Sequence, residues 1–477
     1  MRLPPPKNIT EKLLSTNLKT SVDFLLKNRS AISKYKDIED FILREEEFTT
    51  KTDEDERILK ACEHHLFQVR NKLSNELWSR EFFLGISVVD QLLFSAFAHT
   101  KNSNPILHAL EIVRDSEILK PGFVVYPLHS FGVIAAGLLY AFSSSRVQFQ
   151  VPGYGLMVTP QTNSFKETIS FLKNAATHLG IRKDIPYDLI EHWIRSRPTK
   201  WLEKNPLLVL KVHSFPGGYY ENQYFLIHKL KIATTLLLML NAFQTFESSK
   251  EGKLFNTSRT NNWETLDIYH YILFFPKPNS SKLSGDCIPM NSRGAALAEL
   301  SEVPVNLDPK FWKKRMTWSG ELINALDHVG KNYLKYSLEK QKDSVAGKLY
   351  RKCFRSLEFY RKSHRITDDT GESAVYLAIA FEILLTDNYS KGVSDTIYDR
   401  ASTLLKGTKG DQKLLTAVGD LYEARSKYVH AGKVSGTVDL KTARMAFIHT
   451  FLLISSKMKM KLPSSIDAPM KQLIGIN

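Results

Sequence analysis

The sequence predicts a mainly α protein: a C-terminal helical bundle behind a larger, mostly helical N-terminal region that contains a few strands. Three observations predict it. Apolar residues recur at three- and four-residue spacing through residues 9–120 and again through six stretches after residue 318. Short β-branched and aromatic runs broken by Pro and Gly are concentrated in 123–160. The chain has 477 residues, too many for one core, which implies two to four domains at roughly 100–200 residues each.

In chain order, LLSTNLKTSVDFLLKNR and ERILKACEHHLFQVRNKL read as helices, with Thr49–Glu56 (TTKTDEDE) a polar loop between them. Residues 123–160 read as strands or irregular loops around one buried helix, FGVIAAGLLYAF (131–142). Residues 165–245 read as helical, interrupted by SFPGGYYENQY (214–224), taken as a turn in preference to an aromatic recognition loop. LDIYHYILFF (266–275) reads as a strand between two Ser/Asn/Lys/Gly-rich stretches. A boundary is expected near 290–318, separating a regulatory region, 1–300, from a helical domain, 318–465. The six helices of that domain are GELINALDHVGKNYLKYSLEK, SVAGKLYRKCFRSLEFYRK, ESAVYLAIAFEILLTD, SDTIYDRASTLLKG, QKLLTAVGDLYEARSKYVHAG and LKTARMAFIHTFLLISSKM. Each carries an amphipathic or apolar stripe, as a bundle requires.

Composition bounds the function. Cys62, Cys287 and Cys353 are odd in number and far apart, which fits a reducing compartment and offers no CxxC pair. No run approaches the ~20 apolar residues of a bilayer span, and no apolar segment follows Arg2, so a cytoplasmic protein without a membrane is expected. Net charge is +15, of which +10 falls in residues 301–477. That balance favours a polyanionic partner such as RNA, DNA or an acidic membrane face.

The chemistry concentrates in LYEARSKYVHAG (421–432). At 100° per residue Val418, Leu421, Tyr422 and Val429 share a narrow stripe, and Arg425 falls inside it. A lone charge there is costly, so it must be paired or aimed into a cleft. His430 stands just before Ala431-Gly432, a natural helix stop. Glu382 sits the same way among Val375, Ala378 and Leu385. A buried Glu382–Arg425 pair is therefore expected, joined by Arg400 from the next helix.

AIAFEILLTD, YDRASTLL and LYEARSKYVHAG resemble the HEPN superfamily of helical ribonucleases, and within it the Apea-like group. The resemblance covers roughly 320–460. Arg425 and His430 match the family signature of an arginine, four to six residues, then a histidine. Glu382, Arg400, Tyr422 and Ser426 are placed by it as supporting residues, although Ser426 stands where relatives often carry Asn or His. The resemblance implies metal-independent endoribonuclease activity without a cofactor, a homodimer whose two motifs line one cleft, and a role in stress or anti-phage defence. Residues 1–300 then sense a trigger ligand or protein, restrain the nuclease or select the RNA. The alternative is a HEPN module used for dimerisation or for binding nucleotide or RNA without cutting.

In KLYRKCFRSLEFYRK, Leu349, Tyr350, Cys353, Phe354, Leu357 and Tyr360 face inward, while Lys348, Arg351, Lys352 and Arg355 gather opposite as a candidate RNA-binding face. A solvated face is the plainer reading. CEHH (62–65) lacks a second ligand pair at zinc spacing and reads as a helix with surface histidines. GYG and PGG are turn residues without the lysine of a phosphate loop.

Overall fold

The computed structural model describes residues 4–475 except 16–17, 44–51, 116–119, 134–148, 152–153, 160–161, 163, 196–198, 200, 215–218, 248–268, 278, 290–301, 340, 365–369, 388–391, 433–437 and 466. The chain is mainly helical, with one seven-stranded sheet and a two-stranded pair.

The first helices pack on one another through residues such as Phe41, Leu66, Phe94, Phe97 and Leu110. The longest of them spans Asp53–Trp78. It begins inside the stretch expected to be a polar loop, for a local reason. Thr52 accepts from the Asp55 amide while Asp55 reaches back to the Thr52 amide, and four acidic residues fill the first turn, where the helix dipole favours them. Within CEHH, Cys62 is fully buried and His65 is half-buried against Ser21 and Phe24; His64 alone is exposed.

The sheet runs β4 (Phe149–Val151), β5 (Leu156–Thr159), β6 (Leu207–Ser214), β2 (Gly122–Pro127), β7 (Tyr269–Pro276), β8 (Leu283–Pro289), with β1 (Phe82–Phe83) pairing β6. These side chains alternate between two cores. Phe123, Val125, Met157, Val209 and Phe274 face helices of residues 165–204. Val124, Tyr126, Val158, Leu210 and Leu273 face a core shared with the C-terminal helices. Period-two alternation thus places apolar side chains on both faces. At Gly122 an added Cβ would stand 2.0 Å from the Phe274 carbonyl oxygen, so the β2–β7 approach needs glycine there.

Three expectations change here. β6 lies in a stretch expected to be helical; a short apolar run such as LLVLKV has no period that separates strand from buried helix. Phe131–Val133 belong to strand β3 (His129–Val133), which pairs with β9 (Glu302–Leu307), and the remainder of the helix expected at 131–142 lies outside the described residues. Tyr219–Tyr224, expected in a turn, open the 29-residue helix Tyr219–Glu247.

That helix joins the sheet to the bundle. Leu226, Leu230, Ala233, Leu236 and Leu237 are buried on it. Lys231 pairs with Glu358 at 2.6 Å, and Arg361 Nη1 donates to Thr235 Oγ1 at 2.8 Å and to the Lys231 carbonyl at 3.3 Å. The His228 ring lies nearly parallel to those of Tyr333 and Phe354, with centroids 5.7 and 4.9 Å away. By length and composition Phe225–Glu247 is the one helix among the described residues suited to cross a membrane, and 94% of its apolar window is buried inside the protein.

The six expected C-terminal helices are Met316–Leu338, Val345–Lys362, Thr370–Leu385, Val393–Leu405, Asp411–Ala431 and Leu440–Met460, followed by a short helix, Pro469–Ile474. Phe381, Phe447, Phe451, Leu421 and Leu357 are fully buried among them. Each such side chain contributes about 1.5–3 kcal/mol. One hydrophobic cluster runs from the sheet through the helix Tyr219–Glu247 into this bundle.

Candidate functional site

Helix Asp411–Ala431 is bounded by glycines in the left-handed conformation, Gly410 (φ 77°) and Gly432 (φ 67°). Leu414, Ala417, Val418, Leu421 and Ala424 bury one side of it. From Ser426 to Gly432 no residue is buried, so the last turns carry polar groups into solvent. Val429, expected in the apolar stripe, is 55% exposed. The stripe continues along the helix, but the bundle no longer covers it.

Tyr422 and Arg425 reach the neighbouring helix, Thr370–Leu385. The Tyr422 hydroxyl donates to the Ala378 carbonyl at 2.8 Å. One turn on, Arg425 Nη2 lies 3.3 Å from Glu382 Oε1. The paired steps from 378 to 382 and from 422 to 425 show that the two helices run in the same direction. The expected Glu382–Arg425 pair is therefore present, but it is not buried: the side chains are 24% and 37% exposed. Burial raises the Glu382 carboxyl above its usual range, and the Arg425 charge only partly offsets this. Burial also raises the Tyr422 hydroxyl well above its usual value; Glu382 adds to this and Arg425 opposes it. Arg425 Nε is buried and has no hydrogen-bond partner. The guanidinium is thus held at one corner by a carboxylate, with Nε buried and the side chain as a whole partly exposed.

His430 is exposed in the last turn of the same helix. It stands five positions after Arg425, about 7.5 Å along the axis and about 140° around it. Ser426 is exposed between them. An open imidazole can move a proton, and an open guanidinium edge can meet an anion.

Arg400 does not join this pair. It is buried, and its Nη1 donates to the Leu385 carbonyl at 2.6 Å and to Asp387 Oδ2 at 2.9 Å. Asp387 also accepts from the amides of Met470 and Lys471, at 2.6 and 3.1 Å. Arg400 therefore ties three helices together at the edge of the site. Sequence reasoning missed Asp387 because it lies just beyond the helix Thr370–Leu385, where periodicity carries no signal.

The basic face of Val345–Lys362 is divided. Arg351 and Arg355 are exposed, while Lys348 and Lys352 are half-buried. Lys352 Nζ lies 3.5 Å from the Asp387 carbonyl, and burial lowers its pKa. Lys352 thus belongs with the Asp387 junction more than with an open phosphate-binding face. Among the described residues no group of three His, Cys, Asp or Glu side chains converges as a metal site would.

Compared with family models, with curated proteins and with solved structures, the chain matches none.

Proposed function

We propose that the C-terminal bundle is a HEPN-type endoribonuclease that cleaves RNA through the substrate's own 2′-hydroxyl, without a metal or other cofactor. One observation supports this most. Arg425, steadied by Glu382 and with its side chain 37% exposed, shares a helix with the exposed His430. Internal attack by the 2′-hydroxyl needs a proton acceptor or donor that works near neutral pH, and imidazole is suited to this. It also needs a cation beside the phosphorus oxygens as charge grows there, and a guanidinium fork supplies one. Tyr422 and Glu382 are positioning residues: the first fixes the helix against Ala378, the second orients the guanidinium. Arg351 and Arg355 are the exposed cations placed to hold flanking phosphates.

One arginine and one histidine make a sparse site, so the reading includes a homodimer in which two copies face one another. Tyr398, 41% exposed, and Val429 are apolar groups open on this domain and fit such a contact. The role proposed for the activity is growth arrest in stress or anti-phage defence, with residues 1–300 holding it in check until a trigger ligand or protein binds.

A second reading, a non-catalytic module for dimerisation or RNA binding, is favoured by the ion pair itself, because Glu382 already occupies part of the guanidinium. Incubating the purified chain with total RNA and with tRNA in EDTA separates the two. Cleavage by the wild type that is lost in both Arg425→Ala and His430→Ala supports the nuclease. Binding without cleavage supports the module.

A further inference from the structure

At the end of helix Val345–Lys362, three polar side chains each leave one buried atom without a partner. The rings of Tyr360 and His364 lie 4.8 Å apart at 63°. Tyr360 stacks on Phe447 at 4.8 Å and 16°. Arg444, from the helix Leu440–Met460, donates through Nη2 to the Ser363 carbonyl. Tyr360 is fully buried and His364 is 7% exposed. Tyr360 Oη, His364 Nε2 and Arg444 Nε are all buried, and none has a hydrogen-bond partner. Among the described residues no carboxylate pairs with Arg444.

Buried polar groups are nearly always hydrogen-bonded, and buried charges are nearly always paired. Three buried atoms without partners in one place, one of them on the guanidinium of the partly exposed Arg444, therefore point to a ligand. Burial holds His364 well below its ordinary pKa, so it is neutral, and raises the Tyr360 hydroxyl, so it keeps its proton. The cluster then offers a hydroxyl donor, an imidazole and one guanidinium edge, with a net positive charge. Water would satisfy the donors without meeting the arginine charge directly. An oxyanion does both, and its oxygens suit the fork of an arginine.

We propose that Tyr360, His364 and Arg444 form an internal binding site for a phosphate group. The site is separate from Arg425 and His430. Phe359, next to Tyr360, meets Tyr376 midway along helix Thr370–Leu385, with ring centroids 6.4 Å apart, whereas Arg425 meets Glu382 six residues further on. The phosphate is either free or the terminal group of a nucleotide.

Thermal unfolding of the full chain at constant ionic strength tests this with inorganic phosphate, with AMP and with chloride as control. A ligand that binds only the folded state raises the midpoint with concentration. Phosphate is expected to raise it beyond the chloride control. A rise with AMP alone assigns the phosphate to a nucleotide. No rise with either overturns the proposal and leaves the donors to water. Calorimetric titration then compares variants. Tyr360→Phe removes one hydroxyl and little volume, and is expected to weaken phosphate binding by about tenfold. Arg444→Met is expected to abolish it; should that variant fail to fold, Tyr360→Phe decides alone. Unchanged binding in Tyr360→Phe overturns the site.

Discussion

Arg425 and Glu382 face each other at 3.3 Å from two helices that run in the same direction, and both side chains remain partly open to solvent. That openness sets the energetics. A buried pair would lose several kcal/mol on breaking, which is what the position of these charges in apolar stripes predicts. An open pair contributes about 0–1 kcal/mol, and here the Glu382 carboxyl already sits above its usual range through burial.

Glu382→Gln is therefore expected to change unfolding stability by less than about 1 kcal/mol while lowering RNA cleavage, because Arg425 loses its anchor. Urea unfolding and a cleavage assay on the same preparation check both halves. A collapse in stability would show that the pair is structural.

Asp387 should behave in the opposite way. Its pair with Arg400 leaves the side chains only 10% and 11% exposed, and it also holds two amides of Pro469–Ile474. Asp387→Ala is expected to cost about 3–5 kcal/mol, the range for one partner removed from a buried pair. Arg400→Ala should match it in direction. A urea midpoint shifted by less than a third of this would contradict the junction.

Stability should fall with acid sooner than carboxylates alone would cause. Burial depresses His213 and His228 to about 3 and His328 to about 4. These groups are neutral in the fold but take a proton in the unfolded chain below the ordinary value of 6.5. The unfolded state then binds more protons, so stability is complete above pH ~6.5 and declines as pH falls through the window down to the folded values. Each fully depressed histidine contributes a slope of about 1.4 kcal/mol per pH unit inside that window. Urea midpoints measured from pH 7.5 to 5 check this, and His228→Leu should flatten the slope. An unchanged midpoint over that range contradicts it.

The bundle was legible because its stripes are long and its joints polar. LKTARMAFIHTFLLISSKM and SVAGKLYRKCFRSLEFYRK emerge within two residues of their expected ends. Glu382 and Arg425 were legible for a related reason: two opposite charges interrupt two apolar stripes. Asp387 was not, since a residue past a helix end has no period to betray its partners, and Arg400 was drawn to the wrong carboxylate. The openness of Arg425 was hidden too. A stripe records which side of a helix is apolar, not where the neighbouring helices stop covering it. β6 escaped because a short apolar run such as Leu207–Leu210 suits a strand and a buried helix equally.

Half-sites should make the activity depend on assembly. If two copies supply one cleft, specific activity should fall on dilution below the dimer dissociation constant, and salt should weaken RNA binding through the exposed Arg351 and Arg355. Activity per chain that stays constant across dilution, while sedimentation shows monomer, would leave one chain sufficient.

The chemistry of the cut ends tests the central claim most directly. RNA digested by the full-length chain in EDTA should carry a 2′,3′-cyclic phosphate, or the 3′-phosphate formed from it, on the upstream fragment. DNA and 2′-deoxy-substituted RNA should remain intact, and Arg425→Ala and His430→Ala should give no product. Upstream fragments ending in a 3′-hydroxyl, or cleavage that appears only with added magnesium, would contradict the account.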